Sequence, residues 1–269
     1  MEFNGGVAVI TGASSGIGRA LAAVLAGQGA RVGVIARRKE ELERLCNDIE
    51  QSGGRCAAAR ADVSIREEIV PAIHQLMEQL GPVDLLIANA GVGMPTLLDP
   101  MNVVDIETMF KVNVLGVVYS IEAVLPQMLA QRRGCLAAIS SLAAYKGMPG
   151  ESAYCATKAA VSTYMEGLRI HLRDRGIQVS TICPGFVRTP MVAANDFHMP
   201  FLVEADRAAK LIVRALAQGR KVYNFPWQTS LLMRVARWAP DWALARTMRK
   251  YNENPPFVIS PDSQEARRD

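Results

Sequence analysis

Residues 7–18, VAVITGASSGIG, constrain this chain more than any other segment. An uncharged β-branched run enters a turn holding Gly12, Gly16 and Gly18, and an alanine-rich helical pattern comes next. Such a strand–turn–helix presents free backbone amides and the positive end of a helix dipole at the end of a sheet, where a phosphate is stabilised. Glycine permits the positive φ and close backbone approach that this requires. The spacing is GxxxGxG and not the commoner GxGxxG, and three glycines alone also fit a tight turn with no ligand.

The rest of the chain repeats the strand–helix alternation. Short apolar runs recur at 31–36, 55–61, 83–89, 135–140, 177–183 and 221–225, between helical stretches at 16–28, 38–51, 65–80, 105–131, 152–175 and 204–218. Alternation of this kind, with continuous apolar strands, predicts a parallel sheet covered by helices on both faces. A barrel is the competing α/β architecture, but the glycine turn favours an open sheet with ligands beyond the carboxyl ends of its strands. The expectation is one α/β domain over 1–226, a doubly wound parallel sheet of the Rossmann type. Its cofactor half covers about 1–145, and a substrate loop about 186–204, within which 190–203 reads as irregular around Pro190 and Pro200. An amphipathic helical extension is expected over 227–253, broken at Pro240, and a loose polar tail over 254–269.

Composition narrows the possible partners. A formal charge of +4 spread over 269 residues is too mild to argue for nucleic acid. Five cysteines, an odd number without CxxC spacing, suggest neither a disulfide framework nor zinc, and His74, His171 and His198 lack ligand spacing, so no metal is expected. The chain enters VAVIT within its first ten residues, with no basic-then-apolar leader. Glu122 interrupts the most apolar run, VNVLGVVYSIEAVLPQMLA, short of the roughly 18 residues expected of a membrane span. These features fit a cytoplasmic protein.

The second strand ends on Ala36, about 20 residues beyond the glycine turn, where an NAD-binding sheet places an acid for the ribose 2′-hydroxyl. Arg37 and Arg38 come directly after it. Without a carboxylate a 2′-phosphate is not repelled, and a guanidinium binds it bidentately. This reads as NADP held by the Arg37 and Arg38 pair, with Arg37 favoured as the contact and one of the two read as merely opening a solvated helix that continues with Glu40 and Glu41.

Further on, Tyr154 and Lys158 in YCATK lie four apart on a predicted helix and share one face. Ser141 ends the fifth predicted strand, where a doubly wound sheet carries its site. A tyrosine near pKa 10 exchanges protons poorly at neutral pH. An ammonium about 5 Å away, at an effective dielectric of about 20, favours the phenolate by about 3 kcal/mol, or roughly two pKa units. On that basis Tyr154 becomes a usable acid.

With these residues in place, the chain resembles the classical short-chain dehydrogenase/reductase family. The resemblance is carried by TGASSGIG, ADV at 61–63, NAG at 89–91, NV at 113–114, SS at 140–141, YCATK at 154–158 and PGFVRTPM at 184–191, in the family's order and spacing. It implies that Gly12, Ser14, Ser15, Gly16, Ile17 and Gly18 hold the cofactor's phosphates. Asp62 and Val63 would border the adenine, while Asn89, Ala90 and Gly91 support the sheet beside the cofactor. Asn113 would hold a water linked to Lys158. Ser141 would hydrogen-bond the substrate carbonyl, Tyr154 pass the proton, and Lys158 also bind the nicotinamide ribose. Pro184, Gly185, Val187 and Thr189 would line the nicotinamide, Thr189 at the carboxamide. The implied reaction is hydride transfer between NADPH and a ketone or aldehyde, or the reverse from an alcohol, in a homo-oligomer of two or four chains.

The chain departs from the family after its last strand. Many classical members end there with a glycine-rich segment used in a four-chain assembly. Here residues 231–250 carry four arginines and one lysine against Asp241, a surplus equal to that of the whole protein. Leu231, Leu232, Val235, Trp238, Trp242, Leu244 and Met248 supply apolar content at near-helical spacing. Three readings stay open: a cover for the substrate cleft or a subunit contact, peripheral binding to an anionic membrane through 227–250, and a partner surface. Met94, Leu97, Leu98, Ala143, Ala144, Met148, Met191 and Phe201 flank the expected cleft, pointing to a bulky apolar substrate, acyl-chain or steroid-like. A non-catalytic NADP-sensing protein is the competing function, and the presence of serine, tyrosine and lysine together speaks against it.

Overall fold

The computed structural model describes residues 3–193 and 199–249. His198 and the proposed tail over 254–269 lie outside the described residues. Seven parallel strands form one sheet in the order β3-β2-β1-β4-β5-β6-β9. They are β1 (Val7–Thr11), β2 (Arg31–Ala36), β3 (Arg55–Arg60), β4 (Leu85–Ala88), β5 (Gly134–Ile139), β6 (Ile177–Pro184) and β9 (Val222–Phe225). The order reverses direction between β1 and β4, so the crevice beyond Thr11 and Ala88 is the switch point at which open α/β sheets bind ligands.

Both faces of the sheet are buried, and the strands divide their side chains between them. Ala8, Ile10, Val32, Val34, Leu85 and Ile87 pack under α1 (Gly16–Ala26), α2 (Lys39–Gln51) and α8 (Ala205–Ala217), through Leu21, Leu25, Leu42, Leu45 and Ile212. Val7, Val9, Ile35, Leu86 and Leu136 point the other way. They meet Ile69, Ile73 and Leu76 of α3 (Arg66–Leu80), Val117, Ile121 and Val124 of α5 (Gly116–Gln131), and Val161 and Met165 of α6 (Ser152–His171). Side chains that alternate across a strand while both faces stay apolar are what the continuous runs required.

Four expectations need correction. The helical stretch 105–131 is not one regular helix: α4 (Val103–Phe110) and α5 are joined by a π-helical turn, Lys111–Leu115. The combined helix Val103–Gln131 has the length and composition to cross a membrane, yet Val117, Ile121, Val124 and Met128 on it are buried in the core. The segment 190–203 is not wholly irregular. A short helix, α7 (Pro190–Ala193), and the two-residue strands β7 (Val187–Arg188) and β8 (Val203–Glu204) are formed, with Arg188 paired to Glu204 at 2.8 Å. The helix expected over 152–175 ends at His171 and gives way to turns that lead into β6. Finally, Cys46 and Cys56 form a disulfide. The turn through Gly53 and Gly54 folds β3 back along α2 and brings two residues ten apart to a Cα separation of 5.1 Å, a proximity that neither an odd count nor the lack of CxxC spacing discloses.

The C-terminal extension is helical where described: α9 (Trp227–Trp238) and α10 (Asp241–Thr247), divided at Pro240. Helix α9 packs against β9 and against the short 3-10 helix Leu142–Tyr145 that begins after Ser141. Tyr145 exchanges hydrogen bonds with Asn224 of β9, and Lys146 Nζ donates to the Ala239 carbonyl and pairs with Asp241, each at 3.3 Å, so the extension is tied to the segment that carries Ser141.

Candidate active site

The glycine turn closes by backbone packing. Gly12 and Gly16 adopt φ of 67° and 56°, which only glycine takes at little cost. A Cβ on Gly12 would lie 2.7 Å from the Cα of Ala90, and one on Gly18 2.4 Å from the carbonyl oxygen of Gly12. Asn89 Nδ2 donates to the carbonyls of Thr11 and Gly12 at 2.9 and 3.3 Å, while Thr11 Oγ1 accepts from the amides of Asn89 and Ala90 at 3.1 Å. Ser15 precedes α1 in extended conformation, and its side chain makes no capping bond. The first amides of α1, ahead of Ile17, therefore have no cap from Ser15, which is the arrangement an anionic diphosphate requires. A dinucleotide fits this turn.

Both arginines flank the turn. Arg38 donates to Ser14 Oγ and Ser15 Oγ at 2.9 and 3.0 Å. Arg37, the favoured contact, lies 3.8 Å from Asp62 Oδ2. Asp62 in turn accepts from the amide and hydroxyl of Ser64. Val63 is buried, its side chain facing Gly116, where a Cβ would come within 2.9 Å of it.

On the other side of the crevice, α6 delivers Tyr154 and Lys158 to one face. Lys158 is 4% exposed, and its Nζ donates to the carbonyl of Ile139 at 3.0 Å. Tyr154 faces Ser141 across the cavity wall, and the serine side chain favours its ionised form. Ser141 Oγ accepts from the Ala143 amide at 3.1 Å and makes a long bond, 3.5 Å, to the carbonyl of Pro184 at the end of β6. Asn113 sits in the π turn, 1% exposed, with Oδ1 accepting from the Val92 amide and Nδ2 donating to the Val92 carbonyl and to Thr157 Oγ1. Thr157 donates to the carbonyl of Tyr154 at 2.8 Å. A Cβ on Gly91 would lie 3.2 Å from both Asn113 Oδ1 and Lys158 Nζ, so the glycine leaves the space between them open. Gly185 donates its amide to Phe225, Val187 is buried, and Thr189 packs against Gly16, where a Cβ would meet its methyl at 2.9 Å. Of the predicted site residues, Ser141, Tyr154 and Gly185 line one cavity, and Asn113, Gly91 and Lys158 stand together beside it.

The electrostatics correct one expectation. Burial pushes the Tyr154 phenol above its ordinary value, outweighing the lowering effect of the Ser141 side chain. The Lys158 ammonium stands 5.7 Å from the centroid of the tyrosine ring, directed at Ile139 and not at the hydroxyl. Burial in turn lowers Lys158 from 10.5 to about 8. Desolvation, which disfavours the charged form of either group, dominates the pairwise attraction estimated from spacing alone.

Beside these groups lies a cavity of about 160 Å³, lined by Met94, Leu142, Met148, Met191 and Met233 together with Ser141 and Tyr154. The expected apolar cleft residues Ala143, Met148 and Met191 reach it, whereas Leu98 and Phe201 are 80% and 53% exposed. A larger cleft of about 460 Å³ runs between α1, α2 and the start of α8, and it holds neither Tyr154 nor Ser141. Sequence reading assigned no role to Thr11, Thr157 or Ser140, which donates from its hydroxyl to the Lys158 carbonyl at 2.9 Å. Each is a small hydroxyl next to a residue it orients, and the only signal was adjacency to a motif.

A buried, desolvated lysine works against folding below its unfolded pKa. Replacing Lys158 with Met is expected to leave the thermal midpoint at pH 7 no lower than wild type. Because the folded pKa lies below the unfolded one, the wild type should gain stability relative to the variant as pH rises from about 8 to 10.5. Thermal denaturation over pH 7–11 checks this; a constant difference across that window would contradict a buried ammonium.

Comparison with known proteins places this arrangement in a family. A family profile described as short chain dehydrogenase matches residues 6–199. An uncharacterized oxidoreductase of Myxococcus xanthus is 38% identical over 240 residues, covering 89% of this chain and 95% of that protein. Among solved structures, a short chain dehydrogenase/reductase of Burkholderia phymatum in complex with NAD superposes with a TM-score of 0.81 at 27% identity, covering 97% and 99% of the two chains. A 3-ketoacyl-ACP reductase of Sinorhizobium meliloti gives 0.76 at 28% identity, covering 84% and 99%. The actinorhodin polyketide ketoreductase, solved with NADPH, gives 0.76 at 26%, covering 82% and 95%. The parallel sheet, the glycine turn at its switch point and the Ser141–Tyr154–Lys158 grouping are therefore those of a relative by descent, and the chain belongs to the short chain dehydrogenase family.

Proposed function

We propose that this protein is an NADPH-dependent carbonyl reductase, running in reverse as an alcohol dehydrogenase, on an otherwise apolar ketone or aldehyde. The observation that carries the reading is the pair Ser141 and Tyr154 at the wall of one methionine-rich cavity, with Lys158 buried behind it. When bound, the dinucleotide supplies the hydride. Ser141 donates a hydrogen bond to the substrate oxygen and stabilises charge developing there. Tyr154 transfers its proton to that oxygen. A phenol that burial keeps protonated at neutral pH is suited to this reductive direction. Lys158 places a cation beneath the phenolate as it forms, and Asn113 and Thr157 fix the backbone of α6 at Tyr154.

Preference for NADPH is supported by Ala36, which leaves the end of β2 without a carboxylate, and by the two guanidiniums beyond it. Arg38 spans the glycine turn and Arg37 stands by Asp62, so both frame the position a 2′-phosphate takes. Relatives of this fold have been solved with either NAD or NADPH, and the arginines favour the latter here.

The C-terminal helices carry a second reading, of location. Helix α9 buries Thr229 and Ser230 while Trp227, Leu231, Leu232, Val235 and Trp238 are exposed, Trp238 at 86%; Trp242 of α10 adds to the face at 72%. An amphipathic helix with its apolar side outward needs a cover. Arg234, Arg237, Arg246 and Arg249 belong to the same two helices and their flank. Pairing this face with its own copy sets arginine against arginine, whereas an anionic lipid surface complements it.

Three outcomes test these readings. Tyr154→Phe should retain NADPH binding and lose about 10²–10⁴-fold in carbonyl reduction; turnover near wild type would remove tyrosine from the chemistry. Replacing Arg37 and Arg38 together by leucine should weaken NADPH binding by about tenfold or more while NADH changes little; equal losses measured by fluorescence titration would dissolve the preference. Phosphatidylcholine vesicles should sediment the protein only when they contain phosphatidylglycerol, and Trp238→Glu with Leu231→Glu should abolish this. Absence of binding at low salt, or a lipid-free dimer disrupted by the same substitutions, would reject the membrane.

A further inference from the structure

Among the described residues that line the reaction cavity, Glu151 alone carries a formal charge. It precedes α6 at the N-cap position, yet its side chain caps none of the helix amides. Among the described residues no hydrogen bond or ion pair engages its carboxylate, and the glutamate stands one helical turn before Tyr154. Its surroundings oppose ionisation. Burial raises its pKa, and its negative charge disfavours ionisation of both Tyr154 and Cys155. A second polar group on the cavity wall also lacks a partner: Thr229, 6% exposed, has a buried Oγ1 without any hydrogen bond. Uncompensated polar groups of this kind cost stability. Neither group is used in the reduction derived above.

We propose that Glu151 is a specificity-determining residue whose carboxylate accepts a hydrogen bond from a donor, a hydroxyl or ammonium group, carried by the substrate away from the carbonyl that is reduced. The inference rests on the carbonyl reductase reading and sharpens it: the substrate is apolar over most of its surface, where it meets Met94, Met148, Met191 and Met233, and polar at one further point. Glu151 and Tyr154 line the same cavity of about 160 Å³, so this donor lies within one small ring of the reacting carbon. An apolar analogue lacking the donor leaves the carboxylate desolvated and unpaired, which is the physical basis for rejecting it. Thr229 presents a hydroxyl to the same cavity from α9 and supplements the contact.

The test compares 4-methylcyclohexanone, 4-hydroxycyclohexanone and 4-aminocyclohexanone, with calorimetric binding to the NADPH-loaded protein and steady-state reduction measured in parallel. The wild type should bind the two donor-bearing ketones about tenfold or more tightly than the methyl compound, with the gain in KM and kcat nearly unchanged. Glu151→Gln retains an acceptor without the charge, so it should keep the hydroxyl preference and lose the ammonium preference. Glu151→Leu should lose both and bind the methyl compound at least as well as wild type, which also demonstrates that the variant is folded. Equal affinity of the wild type for all three probes, or a preference that survives in Glu151→Leu, overturns the inference. Binding without turnover would overturn the reductase reading alone, since the calorimetric preference still decides the role of Glu151.

Discussion

The close approach of β1 and β4 at their carboxyl ends is the constraint on which the site depends. Two backbones that diverge at a switch point must be held together where helices begin, and here glycines let them close while two short side chains, Asn89 and Thr11, tie them. Gly12 touches Ala90, Gly18 touches Gly12, and Asn89 reaches across to the two carbonyls that the turn leaves free. Thr11 closes the same junction from the other strand. The crevice is thus walled largely by main chain, with two short side chains fixing it in place.

The opposite wall is built on another principle. A lysine and a tyrosine are taken out of water, and the cost is met by a few fixed partners: Ile139 for the ammonium, Ser141 for the phenol, Ser140 for the helix that carries both. Removing water weakens the case for charge on either residue in the resting protein, yet it strengthens any field that develops during reaction. The disulfide lies at the far edge of the sheet, on α2 and β3, away from this machinery.

How much of this was legible in the sequence depends on the range of the interaction. Strand and helix order came from periodicity, since alternation reports burial on each face directly. Motif residues such as Tyr154 and Lys158 were legible because a helix fixes their common face. Effects that depend on what surrounds a residue were not: spacing gave the attraction between Lys158 and Tyr154 but not the desolvation that exceeds it, nor the bonds from Arg38 to Ser14 and Ser15. Cys46 and Cys56 meet through a turn whose geometry no cysteine count encodes. Glu151 passed unnoticed because one glutamate before a helix is ordinary until the cavity beside it is seen to be apolar.

The π turn at Lys111–Leu115 carries a consequence for the helix that contains it. A π turn holds one residue more than an α turn, and each residue rotates a helix by about 100°. Val117, Ile121 and Val124 reach the core, while Asn113 reaches Val92 and Thr157, because that surplus residue is present. The helix thereby has a reading frame. Side chains along it are exchangeable within the limits of packing, but the loss of a single residue would turn everything beyond it away from the sheet and leave the α6 backbone at Tyr154 without its anchor.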